Sequence, residues 1–258
     1  MGEMESKSAT HSDPSWARPE RAVALEADEI QLWRVHAEAS GRLYDRCRDL
    51  LTADEVERLK RLRPGMAADE FVVGRGSLRM LLGAALRQSP REIVLQTGAH
   101  GKPFTPGIEF SVSHSRGLIL IALSWSATLG VDVEAIDPTI EALEIARDTF
   151  AASEIAVIEK AQEGAERVQV FYRWWARKEA VAKAHGQGIT LSLKEFAVDV
   201  DAEEEREIFL SAESNPTNRC FFVRGISLPI GFAGALAAGE SNLPLRCFDL
   251  ERTALLNS

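Results

Sequence analysis

Three short segments of this chain hold side chains whose types and spacing could do chemistry. The first is Gly130-Val-Asp-Val-Glu134, which follows an apolar stretch and a Ser/Thr turn and reads as a strand. Alternate strand residues share a face, so Asp132 and Glu134 point one way while Val131 and Val133 point to the core. At a rise of about 3.3 Å per residue, the two carboxylates stand about 7 Å apart. That is a platform of hard oxygens. Mg²⁺ suits it, because the ion takes one or two carboxylates, waters and phosphate oxygens. The plain alternative is an amphipathic strand with a solvated acidic face.

The second segment is Trp175-Ala-Arg-Lys-Glu-Ala-Val-Ala-Lys183, with Gly186-Gln-Gly188 behind it. Phe171, Trp175, Glu179 and Lys183 follow one another in steps of four, so they form one helical ridge. Its aromatic members anchor the ridge in the core and carry Glu179 to the edge of burial. An ordinary surface Glu–Lys pair fits the same spacing but leaves the neighbouring tryptophans unexplained. The third segment is Gly101-Lys-Pro-Phe104 followed by Phe110-Ser-Val-Ser-His-Ser115. A Ser-His-Ser run suggests a nucleophile and its base, yet strand neighbours face opposite ways and cannot form a triad. His114 and Lys102 serve better as donors to phosphate. A turn leading into a strand is the bland alternative.

The elements that must position these segments come in two similar sets. In the first half, Ile30–Val35 reads as a strand and Leu51-Thr-Ala-Asp-Glu-Val opens a helix. A second helix carries Phe71, Leu78, Leu82 and Ala85 on one face, and a strand is expected over Glu92–Gln96. The order then recurs: a strand at Val131–Glu134, a helix opened by Phe150-Ala-Ala-Ser-Glu-Ile, and a long helix around Arg167–His185 stopped by Gly186 and Gly188. A strand over Phe196–Val200 completes the set. Leu51/Phe150, Ala53/Ala152, Glu55/Glu154, Val56/Ile155 and Leu59/Ile158 all pair at an offset of 99. Each half ends in apolar strand material: Phe110–Val112 and Leu118–Leu123, then Phe221–Gly225 and Leu228–Ala238. The pattern predicts an α+β fold of two similar subdomains, 29–126 and 127–258, behind an unstructured polar tail over 1–28. A site shared by two such halves belongs in the cleft between them.

Composition narrows the function. The net charge of −9 across 258 residues argues against a nucleic-acid partner, which would need a basic footprint. No apolar run approaches the roughly 18 residues of a membrane span. Cys47, Cys220 and Cys247 are too far apart for a metal motif or a disulfide framework, which points to a reducing cytoplasm.

Together the three segments stand in the order and at the distances of the Sfp-type 4'-phosphopantetheinyl transferases, which this chain resembles from about residue 28 onward. The resemblance is carried by Lys102-Pro103, Phe110–Ser115, Gly130–Glu134 and Trp175–Lys183 with its trailing glycines. It implies a monomeric pseudo-dimer of two α+β halves that moves the phosphopantetheine arm of coenzyme A onto a serine of an apo acyl or peptidyl carrier protein. It also implies that Asp132, Glu134 and Glu179 hold Mg²⁺, and that Lys183 reaches the pyrophosphate. By the same likeness Lys102, Pro103, Ser113 and His114 hold the nucleotide with its 3'-phosphate, joined by Arg75, for which Arg79 is a rival one turn away. Glu179 and Lys183 are the catalytic pair it implies. The family has basic residues upstream of the Arg75 helix, and Arg58, Lys60, Arg61 and Arg63 are candidates here without clear register. Ser111 stands where the family has asparagine. Two alternatives use the same residues: a metal-dependent nuclease, and a coenzyme A- or metal-binding module without activity. A nuclease would place its second acid and lysine two apart on a strand, whereas Glu179 and Lys183 are four apart on a helix.

Overall fold

Two four-stranded sheets stack face to face, each covered on its outer side by a 21-residue helix. The computed structural model describes residues 16–19, 23–37, 41–98, 100–186, 191–198, 206–210, 219–240 and 242–250. The first sheet runs in the order β10 (Leu245–Asp249), β1 (Ile30–His36), β5 (Leu118–Ser124), β4 (Glu109–Ser115). The second runs β6 (Leu129–Ala135), β9 (Phe232–Ala238), β8 (Arg219–Ile226), β7 (Arg206–Leu210). A two-residue pair, β2 (Gln96–Thr97) with β3 (Pro103–Phe104), carries the lysine segment. The fold is α+β.

Alternation along the strands divides the core into layers. Ile30, Leu32, Leu118, Leu120, Leu129, Val131, Val133 and Leu236 fill the space between the sheets. Trp33, Val35, Ile119 and Ile121 point the other way, onto α3 (Met66–Leu86). Ala235, Ala237, Phe221 and Val223 meet α6 (Ala165–His185) in the same manner. Both sheet faces are therefore buried, so β5 is apolar through Leu118–Leu123 instead of alternating in polarity.

The repeat expected from sequence recurs in the elements. β1 answers to β6, α2 (Ala53–Arg61) to α5 (Ala152–Lys160), and α3 to α6, each 99 residues on. α1 (Arg42–Asp49) answers to α4 (Ala142–Thr149). The long helices even end alike, on a left-handed cap at Arg87 (φ 54°) and Gly186 (φ 85°). Glu55 accepts the Thr52 N–H at 2.9 Å, as Glu154 accepts that of Ala151 at 2.9 Å. Each of these glutamates also meets a buried cation: Arg79 at 3.0 Å in one half, Lys178 at 2.8 Å in the other.

Those cations explain where expected strands fail to form. Arg79 donates to the carbonyls of Pro90 and Ile93, so the stretch expected as a strand over Glu92–Gln96 shrinks to Gln96–Thr97. Lys178 donates to the carbonyls of Leu193 and Phe196, while Glu154 accepts the Val198 N–H. The described part of Phe196–Val200 is accordingly bonded to side chains, after a 3-10 turn at Leu193–Glu195, and is not a strand. Asp199 and Val200 lie outside the described residues, as does Gly188. The run from Leu228 turns at Pro229 to Gly231 before its strand begins at Phe232.

Two features cross the expected boundaries. β10 pairs parallel with β1, so the last strand returns to the first sheet. Part of the expected tail is packed: Ala17 bridges Phe248, and Leu25 is buried with its carbonyl on Trp125. Residues 1–15 and 20–22 lie outside the described set. Among the described residues, no helix is long and apolar enough to cross a membrane.

Lys178→Met would leave Glu154 buried without its cation and two carbonyls without a donor. Breaking a buried pair from one side costs about 3–5 kcal/mol. Urea denaturation should show a loss of that order, and a loss below about 1 kcal/mol would contradict this role for the pair.

Candidate active site

The site lies where β6 is held between β4 and α6. Gly130, Asp132 and Glu134 share the β6 face that looks onto α6, opposite to Val131 and Val133. A Cβ on Gly130 would collide with the Ala180 carbonyl oxygen and the Ala184 nitrogen, so only glycine lets the helix backbone come this close. Alternate strand residues advance about 7 Å and a helix advances about 6 Å in four residues, so the two rows stay in step. Lys183 Nζ reaches Asp132 Oδ1 at 2.7 Å, and Trp175 Nε1 donates to Glu134 Oε1 at 3.2 Å. Glu179, half-buried, lies between Trp175 and Lys183 on the ridge. Phe150 and Phe171, within 6.2 and 5.6 Å of the Trp175 ring, anchor that ridge as its aromatic spacing predicts.

From the other side comes a row of hydroxyls. Ser111, Ser113 and Ser115 of β4 accept the backbone N–H groups of Val131, Val133 and Ala135, at 3.0, 3.3 and 3.0 Å. Ser113 also donates to Asp132 Oδ1 at 2.9 Å and accepts from Lys183 at 2.8 Å. One donor and two acceptor positions are then all in use. Ser113 is buried on Asp132 and Lys183, not turned toward the open cleft. Ser111 both caps Val131 and lines the cleft.

The electrostatics are those of crowded acids. Asp132 is only 2% exposed, and its Oδ2 is buried with no hydrogen-bond partner. Burial, with Asp132 next in effect, pushes the Glu134 carboxyl up to about 7. Burial and Asp132 likewise raise Glu179, with Lys183 pulling the other way. Among the described residues, no three His, Cys, Asp or Glu side chains are gathered closely enough to enclose a metal ion. Lys183 is the cation in contact with Asp132 here.

Beside this cluster opens a cleft of about 220 Å³ lined by Lys102, Pro103, Phe110, Ser111, Val112 and Lys183 among others. Lys102 donates to the Leu129 carbonyl at 2.8 Å, and burial lowers its pKa. His114 lies on the opposite face of β4 from the serines, with Nδ1 3.0 Å from Glu70 of α3. Arg75 packs 6.0 Å from the Phe71 ring centroid and 3.4 Å from Glu55. Its rival Arg79 is buried and fully engaged in structure, which leaves Arg75, 19% exposed, as the more accessible arginine of that helix. Of the four basic candidates upstream, Arg58 joins it, 5.2 Å from the same ring. Two guanidiniums on one phenyl ring form a small basic patch, and burial, countered by Glu55 and aided by Arg58, lowers Arg75. Lys60 pairs with Glu57 at 2.7 Å, while Arg61 and Arg63 are exposed. Sequence reasoning missed Glu70 and the Trp175 hydrogen bond. A glutamate between the buried positions Ala68 and Val72 was the available signal for the first.

Comparison with known proteins supplies the family. A family model described as the 4'-phosphopantetheinyl transferase superfamily matches residues 128–233. The 4'-phosphopantetheinyl transferase HetI of Nostoc sp. is 28% identical over 200 residues, 75% of this chain and 84% of the relative. The Synechocystis sp. protein named "Putative 4'-phosphopantetheinyl transferase slr0495" is 32% identical over 171 residues, 64% of this chain and 69% of its own. Sfp of Bacillus subtilis is 24% identical over 203 residues, 78% and 87% of the two chains. The chain belongs to the 4'-phosphopantetheinyl transferase superfamily and is an enzyme of that class.

Gly130→Ala should force α6 off β6 and separate Lys183 from Asp132. The overpacking costs about 3 kcal/mol in urea denaturation. Wild-type stability in this variant would show that the close approach is not needed.

Proposed function

We propose that the cleft transfers the 4'-phosphopantetheine arm of coenzyme A to a serine of an apo acyl or peptidyl carrier protein in a Mg²⁺-dependent reaction, releasing adenosine 3',5'-bisphosphate. One observation carries this reading. Asp132 offers one oxygen engaged by Ser113 and Lys183 and a second that is buried without a partner, with two further acids beside it. The donors are hard oxygens, and Mg²⁺ keeps several waters while using one or two carboxylates and substrate phosphate oxygens. An open platform therefore fits it better than a closed cage, with Asp132, Glu134 and Glu179 as the holders. When bound, the ion supplies neutralising charge to the pyrophosphate.

The chain's own residues do the rest. Lys102, Pro103, His114, Arg75 and Arg58 bind the nucleotide end, and Ser113 contributes by fixing Asp132 and Lys183. The carrier serine oxygen bonds to the pantetheine-side phosphorus as the bond to the bridging oxygen breaks. The electron pair leaves with the nucleotide bisphosphate, whose new charge the Lys183 ammonium offsets. Glu179 takes the serine proton, directly or through one water. We read residues 29–126 and 127–258 as two copies of one unit, so a single chain closes the cleft and acts as a monomer. The acidic balance fits a small-molecule and protein substrate in the cytoplasm, not nucleic acid or membrane.

Asp132→Ala and Glu179→Ala should each lower kcat/KM for carrier modification more than tenfold, about 1.4 kcal/mol, with the circular dichroism of the fold unchanged. Either variant above a tenth of the wild-type rate removes that residue from the site. Arg58→Ala should raise KM for coenzyme A. Reversing Arg61 and Arg63 to Glu should instead lower kcat/KM for the carrier at low salt, leaving KM for coenzyme A fixed. A rise in KM for coenzyme A in the double reversal would move those arginines into the nucleotide site.

A further inference from the structure

Glu70 is a buried carboxylate that the reaction above does not use. It sits near the start of α3, 7% exposed, on a stretch of helix where Ala68, Val72 and Val73 are buried too. An acid in such surroundings persists only when its oxygens are occupied. Oε1 accepts the Gly117 N–H at 2.6 Å, which pins the turn between β4 and β5. Oε2 lies 3.0 Å from His114 Nδ1, and the His114 side chain is 54% exposed. The two contacts fasten both the backbone beside His114 and the ring itself to α3, the helix that also carries Arg75.

We propose that Glu70 is a positioning residue for coenzyme A recognition, selecting the protonation pattern with which His114 meets the 3'-phosphate. The proposal rests on the reading that His114 contacts that phosphate. A carboxylate only accepts, so Glu70, 3.0 Å away, favours the proton on Nδ1. Nε2 is then the ring nitrogen left for a ligand, and with Nδ1 protonated it can donate to an anion only as imidazolium. Glu70 thus couples the phosphate contact to a full positive charge. Such charge-assisted bonds are roughly twice as strong as neutral ones.

Glu70→Gln isolates this effect from the fold. The glutamine oxygen still accepts from Gly117, so its amide nitrogen faces His114 and donates to Nδ1. The ring proton moves to Nε2, and the phosphate meets a neutral donor. The readout is the ratio of Kd for dephospho-coenzyme A to Kd for coenzyme A, measured by calorimetry. The ratio should fall about five- to tenfold in Glu70→Gln. It should fall at least as far in His114→Ala, and adding Glu70→Gln to His114→Ala should change it no further.

A wild-type ratio in Glu70→Gln, with the ratio lost in His114→Ala, would overturn the proposal and leave Glu70 a purely structural residue. A wild-type ratio in His114→Ala would instead overturn the underlying reading of His114, and the proposal with it. Nitrogen-15 spectra of the histidine side chains in the wild-type protein give a check that needs no Glu70 variant. They should show His114 protonated at Nδ1, and a neutral Nε2–H tautomer in the free enzyme would sink the idea.

Discussion

The outer edge of β6 is the constraint on which the rest depends. Among the described strands β6 pairs with β9 alone, so its other row of N–H groups faces β4 and needs acceptors. The hydroxyls of Ser111, Ser113 and Ser115 supply them at every second residue. A serine row at strand spacing is therefore a joint between the two sheets, made without continuing the backbone ladder. Because Ser113 then binds Asp132 and Lys183 as well, the joint and the candidate site share one side chain.

That sharing gathers polar groups on the β6 face beside the cleft. Three acids crowd together, and burial drives Glu134 and Glu179 toward neutrality. The raised Glu134 and Glu179 show the strain, and the Lys183 ammonium on Asp132 relieves part of it. The other half of the chain shows what happens where no such charge is needed. At the offset of 99, Asp132, Glu134 and Glu179 correspond to Trp33, Val35 and Met80, all buried apolar residues. The second set of elements has acids where the first has core.

Much of this was legible in the residues. The two-residue alternation of Val131 to Glu134 and the four-residue steps from Phe171 to Lys183 gave the two faces that meet, because each period has a single geometric meaning. The offset of 99 gave the paired units. What stayed hidden depended on side chains acting at long range. Arg79 and Lys178 take the carbonyls that would have made Glu92–Gln96 and the described part of Phe196–Val200 into strands, and local propensity carries no trace of that competition. The packing of Arg58 on the Phe71 ring and the return of β10 to the first sheet needed the whole topology.

The central claim is that this joint holds a transferase centre built on Asp132. Its most direct test is the intact mass of a panel of apo carrier proteins after incubation with the enzyme, coenzyme A and Mg²⁺. The account predicts that at least one carrier gains a single phosphopantetheine on its serine, and that omitting Mg²⁺ prevents the gain. Binding of coenzyme A with no mass change on any carrier would contradict it.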